Sequence, residues 1–459
     1  MNINFKFIVN LLTVSLAAIN LVLISNYIIY PIIDVDSGYY LAMAREIYAG
    51  KVYFHEIGIP YNPLSIVTMG IPYLFSSDPD YFWHLLVNMI VFLCSTKLIY
   101  NILSFISKDK YLNRFYALFF LLLCLVLHGK HALLEPLSVC FQLIALWLFL
   151  KTKKDSKTLQ ILLVGLFIAL AFLSKQYGLF IAVPIGIQIF IDKKNIIKKI
   201  LLLGMGFLLP LVVFYTYLSR YNVSLPLFLK YILGQGLEMD QGNGTSLETT
   251  FFTYPMDSLY ILLFNLYILL VPYLILKYFK KLNNNKYLFI ITCLISFMVL
   301  YFANYWHYYQ YIIPYTIILY VFLSQNGEIK KKSIILPLVS ICFLSFYALN
   351  SLNKKENVEK YRKETELFLN KIPERSEVFL SGPSQLFYYT CKFKSINLKN
   401  IGYTFPNYLF PKTIVNNLKT GSYIVVSEKQ FNIYKELIEK YSINEILLND
   451  KKYIVIKKE

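Results

Sequence analysis

Two carboxylates, Asp34 and Asp36, stand directly after the first long apolar stretch, in the run Pro31-Ile-Ile-Asp-Val-Asp-Ser-Gly-Tyr-Tyr-Leu-Ala-Met-Ala-Arg45. Like charges this close raise the cost of ionising both, which suits a proton acceptor or a cation-binding pair. No basic residue adjoins them before Arg45. Further along lie His131 and Glu135, then Lys175 and Gln176, then His307. Each also has a plainer reading. Glu135 precedes Pro136, where an acid suits a helix N-terminus for dipolar reasons alone. Lys175 suits the cap of a tight turn, and His307 stands among Tyr305, Trp306, Tyr308 and Tyr309, as in an interfacial aromatic belt.

The elements that must position these residues are membrane helices. The chain is 57% hydrophobic with a mean hydropathy of +0.52, and apolar runs of roughly twenty residues recur along most of its length. Lipid leaves no water for stray backbone groups, and continuous apolarity without period-two alternation excludes a barrel. The pattern predicts an α-helical polytopic protein with spans at Phe7–Ile33, Tyr81–Ile106, Phe115–Leu127, Leu133–Leu150, Leu159–Leu173, Tyr177–Ile191, Ile200–Leu218, Ser258–Leu276, Tyr287–Ala303, Tyr308–Leu323 and Ile334–Leu349. The segment Leu64–Phe75 is too short to span and carries Gly70 and Pro72, so it reads as interfacial or re-entrant. Phe7–Ile33 is longer than the apolar core of a cleaved signal peptide and reads as an anchor.

Charge orients the spans. With the N-terminus in the cytoplasm, the inner loops are those bearing Lys108, Lys110 and Arg114; Lys151 to Lys157; Lys193, Lys194, Lys198 and Lys199; Lys280, Lys281 and Lys286; and Lys330 to Lys332. Every one is basic, as a cytoplasmic location requires. Asp34, Asp36, His131, Glu135, Lys175, Gln176 and His307 then all face the extracytoplasmic side, with the C-terminal tail. Ionisable groups at membrane depth are costly, so a convergent set marks a functional site.

The membrane module is expected over residues 1–352, with a first outer loop at 34–80 and a second at 220–255. Beyond residue 353 charge rises, and helical patterns alternate with short strand-like runs. A small extracytoplasmic α/β domain is predicted over 353–459, with a helix at Asn353–Asn370, a strand at Glu377–Ser381, a helix at Pro383–Tyr389, a strand at Ser422–Ser427, a helix at Lys429–Lys440, and a closing strand pair at Ile443–Leu448 and Lys452–Ile456. Five of the six cysteines fall in predicted spans, so no disulfide can form within that domain. The net charge of +18 reflects the inner-loop bias more than a nucleic-acid partner.

The run Asp36-Ser-Gly-Tyr-Tyr-Leu-Ala-Met-Ala-Arg-Glu-Ile-Tyr-Ala-Gly-Lys-Val-Tyr53, followed by Tyr61-Asn-Pro-Leu64, resembles the first outer loop of GT-C glycosyltransferases, in the branch of the protein O-mannosyltransferases and the aminoarabinose transferase of lipid A. His131-Ala-Leu-Leu-Glu-Pro-Leu-Ser138, Gly165 to Gln176, and His307-Tyr-Tyr-Gln-Tyr-Ile-Ile-Pro314 resemble that family in the same order. Two departures are Ser37, where the family often has Glu, and Asn62-Pro63, where it has Pro-Pro.

The resemblance implies transfer of a sugar from a polyprenyl-phosphate carrier to an acceptor hydroxyl of a glycan, lipid or protein, with inversion, at the outer face of a cell membrane. Asp36 would be the base, with Asp34 or Glu135 orienting the acceptor. Lys175, His307, Arg45 and His131 would hold the donor phosphate, and Tyr40, Asn62 and Gln176 would contact substrate. No cofactor is expected. Asp34, Asp36 and Glu135 have the oxygen ligands of a divalent-cation site, but the nearer branch is thought to work without one. A lipid-linked glycan flippase would place polar groups near the midplane and often show internal repeats. A polysaccharide polymerase or ligase would favour Arg-rich outer loops.

Overall fold

The structure, a computed structural model, describes residues 5–29, 33, 35–55, 57, 62–129, 131–152, 158–229, 232–233, 271–278, 285–302, 306–324, 334–352, 356–381, 387–395, 420–427, 442–448 and 451–458. The apolar runs fold as helices. Among the described residues five are long and apolar enough to cross a membrane: α1 (Phe5–Ile29), α4 (Tyr81–Ile106), α5 (Lys110–His128), α6 (Glu135–Thr152) and α9 (Ile196–Ser219). Further apolar helices join them: α7 (Thr158–Ser174), α8 (Ala182–Asp192), α12 (Asn285–Phe302), α13 (Ile313–Ser324) and α14 (Ile335–Leu352). Between α1 and α4 come α2 (Val35–Tyr48), α3 (Pro63–Met69) and a 3-10 turn at Ile71–Leu74. The last two are far too short to span.

Several boundaries differ from the sequence expectation, for local reasons. Helix α1 stops at Ile29, and α2 begins at Val35 to carry Asp36 in its first turn. Helix α5 starts at Lys110 rather than Phe115, because Asp109 caps it, its carboxylate accepting from the backbone N–H groups of Tyr111 and Leu112 at 3.2 Å each. The expected spans at Tyr177 and Tyr308 each open with a 3-10 segment, Gln176–Ile181 and Trp306–Tyr311, before the α-helix proper. The span expected at Ser258–Leu276 and most of the 220–255 loop lie outside the described residues, apart from residues 220–224, α10 (Leu225–Leu229), residues 232–233 and α11 (Val271–Tyr278).

Helix α7 packs on α6 and α9. Where α7 meets α9, Gly165 faces Leu203 and Gly206 faces Leu162 so closely that a Cβ on either glycine would overlap the opposing carbonyl oxygen. Without a hydrophobic drive between helices in lipid, small residues of this kind let backbones approach and gain dispersion contacts. The core is continuous through α4, α5, α6, α7 and α13, whereas α9 leaves Leu201, Met205, Leu208, Val212 and Val213 more than half exposed, as a lipid-facing helix should.

The C-terminal domain holds α15 (Glu356–Leu369), α16 (Phe387–Thr390) and strands β1 (Glu377–Ser381), β2 (Lys394–Ser395), β3 (Tyr423–Ser427), β4 (Ser442–Leu448) and β5 (Lys451–Lys457). The sheet runs β2-β1-β3-β5-β4, with β1 parallel to both β2 and β3, and β5 antiparallel to β3 and β4. Short β2 had no hydrophobic run to betray it, and the helix expected at Lys429–Lys440 lies outside the described residues. Phe368, Ile372, Val378, Leu380, Val425 and Val455 form the domain's core, and Ala42 of α2 is buried in the same cluster.

Candidate active site

Helices α6 and α7 are neighbours whose connection is short, so the start of one and the end of the other lie at the same end of the bundle. Glu135 opens α6 and Lys175 directly follows α7. The Lys175 ammonium lies 3.4 Å from Glu135 Oε1, and their side chains are 2% and 0% exposed. A charged pair this deep is tolerated because each group neutralises the other. The same ammonium sits 5.2 Å from the centre of the Tyr308 ring, near enough for the ring face to share its charge.

The backbone around Lys175 is held tightly. Its N–H donates to Ala171 O at 3.1 Å, and the Ser138 hydroxyl donates to the same oxygen at 3.0 Å. The chain then turns into the 3-10 segment, where Gln142 donates to the carbonyls of Tyr177 and Gly178 at 3.2 and 3.1 Å. Tyr315 OH in turn donates to Gln142 Oε1 at 2.8 Å. Gly178 permits the turn: a Cβ there would strike the carbonyl of Ala171. The rings of Tyr177, Tyr308 and Tyr311 pack on one another, with centroids 5.1 Å apart for Tyr177 and Tyr308.

The turn 131–134 that leads into Glu135 is stitched to three other elements. Asn88 of α4 donates to His131 O at 2.6 Å, and Ser65 of α3 donates to Leu134 O at 2.8 Å. The Ala132 N–H donates to Ser37 Oγ at 2.9 Å and also faces Tyr81 OH at 3.2 Å. Asn62, at the start of α3, donates through Nδ2 to Phe172 O near the end of α7. These side-chain to backbone bonds carry the first loop's helices onto the ends of α6 and α7.

Asp36 lies in the first turn of α2, where the helix dipole favours a carboxylate, and is partly exposed. Tyr40 and His131 are buried, at 3% and 6% exposure, and Gln176 is half-buried at the start of its 3-10 segment. The Arg45 guanidinium donates to Phe393 O at 2.6 Å and lies 3.9 Å from Glu46. Asp34 lies outside the described residues, and His307 falls within the 3-10 segment Trp306–Tyr311. The structure thus brings Glu135 and Lys175 into contact and ties the helix of Asp36 to them through the 131–134 turn. Sequence reasoning noted Ser37 only as a departure from the family pattern and missed Tyr81, Gln142 and Tyr315, because neutral side chains leave no charge pattern.

A module of apolar helices with short helices after the first of them, followed in the chain by a small α/β domain, is the GT-C-like architecture that the resemblance implied. Residues 43–229 match the family model described as dolichyl-phosphate-mannose-protein mannosyltransferase. The chain is similar in structure to ArnT from Cupriavidus metallidurans bound to undecaprenyl phosphate, with a TM-score of 0.68 at 11% identity over 96% of this chain and 97% of that one. Against the apo form of the same ArnT the TM-score is 0.47 at the same identity and coverage. No curated protein sequence matches this chain.

Proposed function

We propose that this protein transfers a sugar from a polyprenyl-phosphate carrier to an acceptor hydroxyl on the extracytoplasmic face of the cell membrane, inverting the anomeric centre. The observation that carries the reading is the buried Glu135–Lys175 pair, bound through the 131–134 turn to the helix that bears Asp36. The basic inner loops support the outward orientation of this end, and the undecaprenyl phosphate held by the similar ArnT supports the carrier class.

In this reading Asp36 accepts the proton of the acceptor hydroxyl as its oxygen attacks the anomeric carbon. The bond from that carbon to the carrier's phosphate oxygen breaks, and its electron pair leaves with the polyprenyl phosphate. The phosphate is a good leaving group as it stands, so one base suffices. General-base catalysis of this kind contributes roughly 10² to 10⁴ in rate. Asp34 or Glu135 orients the acceptor. Lys175, with His307, His131 and Arg45, offers positive charge where the departing phosphate gathers negative charge. Tyr40, Asn62 and Gln176 line the approach for substrate. The lipid tail lies between the helices of the bundle, and the C-terminal domain covers the site.

The experiment is sugar transfer in membranes holding the full chain and their own radiolabelled polyprenyl-phosphate sugars. Asp36→Asn is expected to cut loss of label from lipid by at least about a hundredfold. Near-normal transfer by that variant removes Asp36 as the base.

A further inference from the structure

The residue after Asp36 is a serine, and it is 0% exposed. Its Oγ accepts the Ala132 N–H at 2.9 Å, and Ala132 stands three residues before Glu135, about one turn of chain. One short side chain therefore separates the backbone next to Asp36 from the turn that delivers Glu135. Other ties to this turn come from α3 and α4, through Ser65, Asn88 and Tyr81. Ser37 supplies a tie from α2 itself.

We propose that Ser37 is a positioning residue, whose hydroxyl sets the separation between the Asp36 carboxylate and the Glu135–Lys175 pair by holding the Ala132 N–H. This inference rests on the function proposed above. A hydroxyl meets the need in two ways. It is short, so the two backbones come close, and it accepts a hydrogen bond without charge. A longer side chain at position 37 could not keep this bond without moving the two backbones apart. Alanine would remove the bond from Ser37, although the Ala132 N–H would keep Tyr81 OH as acceptor. The turn would then be held less firmly to α2 without a buried donor being stranded. Misplacement of reacting groups by about an ångström is enough to cost large factors in rate.

The test compares Ser37→Ala, Ser37→Thr and Tyr81→Phe in the full-length protein. Transfer is followed in membranes carrying their own radiolabelled polyprenyl-phosphate sugars, beside the thermal midpoint of the purified protein and hydrogen exchange over residues 131–135. Ser37→Ala is expected to lower the maximal rate about tenfold at an unchanged half-saturating donor level and thermal midpoint, with faster exchange at 131–135. Ser37→Thr keeps the acceptor and is expected to restore most of the rate. Tyr81→Phe, which leaves Ser37 in place, is expected to cost less than Ser37→Ala. The inference is overturned if Ser37→Ala transfers at the normal rate, or if its loss follows a fallen thermal midpoint that threonine does not rescue. If Asp36→Asn and Glu135→Gln abolish transfer while Ser37→Ala does not, this inference fails and the proposed function stands. If Asp36→Asn is active, both fail.

Discussion

The Arg45 guanidinium donates to the carbonyl oxygen of Phe393 at 2.6 Å, and so joins the end of α2 to the C-terminal domain. Arg45 lies nine residues after Asp36 on the same helix, about 13 Å along its axis. Ala42, between them, is buried in the core of the C-terminal domain, and Tyr39, Tyr40, Leu41, Met43 and Ala44 pack into the membrane module. Helix α2 is therefore gripped from both sides. Further contacts of the C-terminal domain include the Lys392 ammonium, 2.5 Å from Asp78, and the Tyr389 ring, which meets Tyr81 with centroids 6.3 Å apart.

Breaking that grip should be visible away from any substrate. A hydrogen bond from a charged donor contributes roughly 1.5–3 kcal/mol, so Arg45→Ala is expected to speed hydrogen exchange in the 387–395 segment and in α2, and to slow transfer severalfold. If exchange in 387–395 stays unchanged while more donor is needed for half-saturation, Arg45 holds phosphate and does not dock the domain.

The Glu135–Lys175 pair lends itself to a double-mutant cycle. Removing one member strands a buried charge, at a cost of about 3–5 kcal/mol. Replacing both with apolar residues of similar volume relieves most of that cost. Glu135→Leu and Lys175→Met are expected to lower the thermal midpoint singly and to restore it when combined, whereas transfer should stay lost in all three. Transfer that returns with stability in the double variant would mean that the pair is structural only.

Cys391 gives a probe of the C-terminal domain. It is 0% exposed, and burial pushes its thiol up to about 12. Only the thiolate is nucleophilic, so the native thiol should be inert near neutral pH. In full-length protein keeping Cys391 as its only cysteine, a membrane-impermeant maleimide at pH 8 is expected to leave the folded chain unlabelled and to label it once urea opens the domain. Fast labelling of the folded protein would contradict the burial.

Much of the fold was legible in residue order. Apolar length announced the membrane helices, and strands such as Glu377–Ser381 stood out by their branched and aromatic residues. Local chemistry explains what was misplaced: the Asp109 cap moved the start of α5, and the 3-10 entries at Gln176 and Trp306 replaced the first turns expected of two spans. For the site, the sequence supplied charged candidates and a resemblance that ordered them. It assigned Glu135 and Lys175 separate tasks, yet they form one buried pair. For Arg45, a candidate phosphate-binding cation, it gave no sign of the bond to the Phe393 carbonyl.

Sequence alone determined the solvent each segment had to meet, because hydropathy and loop charge act through composition and need no partner. It also determined which side chains could carry charge or a proton. Only the tertiary structure decided which of them meet. The short connection between α6 and α7, the close glycine contact between α7 and α9, and the neutral bonds of Ser37, Asn62, Ser65 and Asn88 to distant backbone set those distances. Such contacts join residues far apart in the chain, and a hydroxyl or amide gives no sign in one dimension of the carbonyl or N–H it will reach in three.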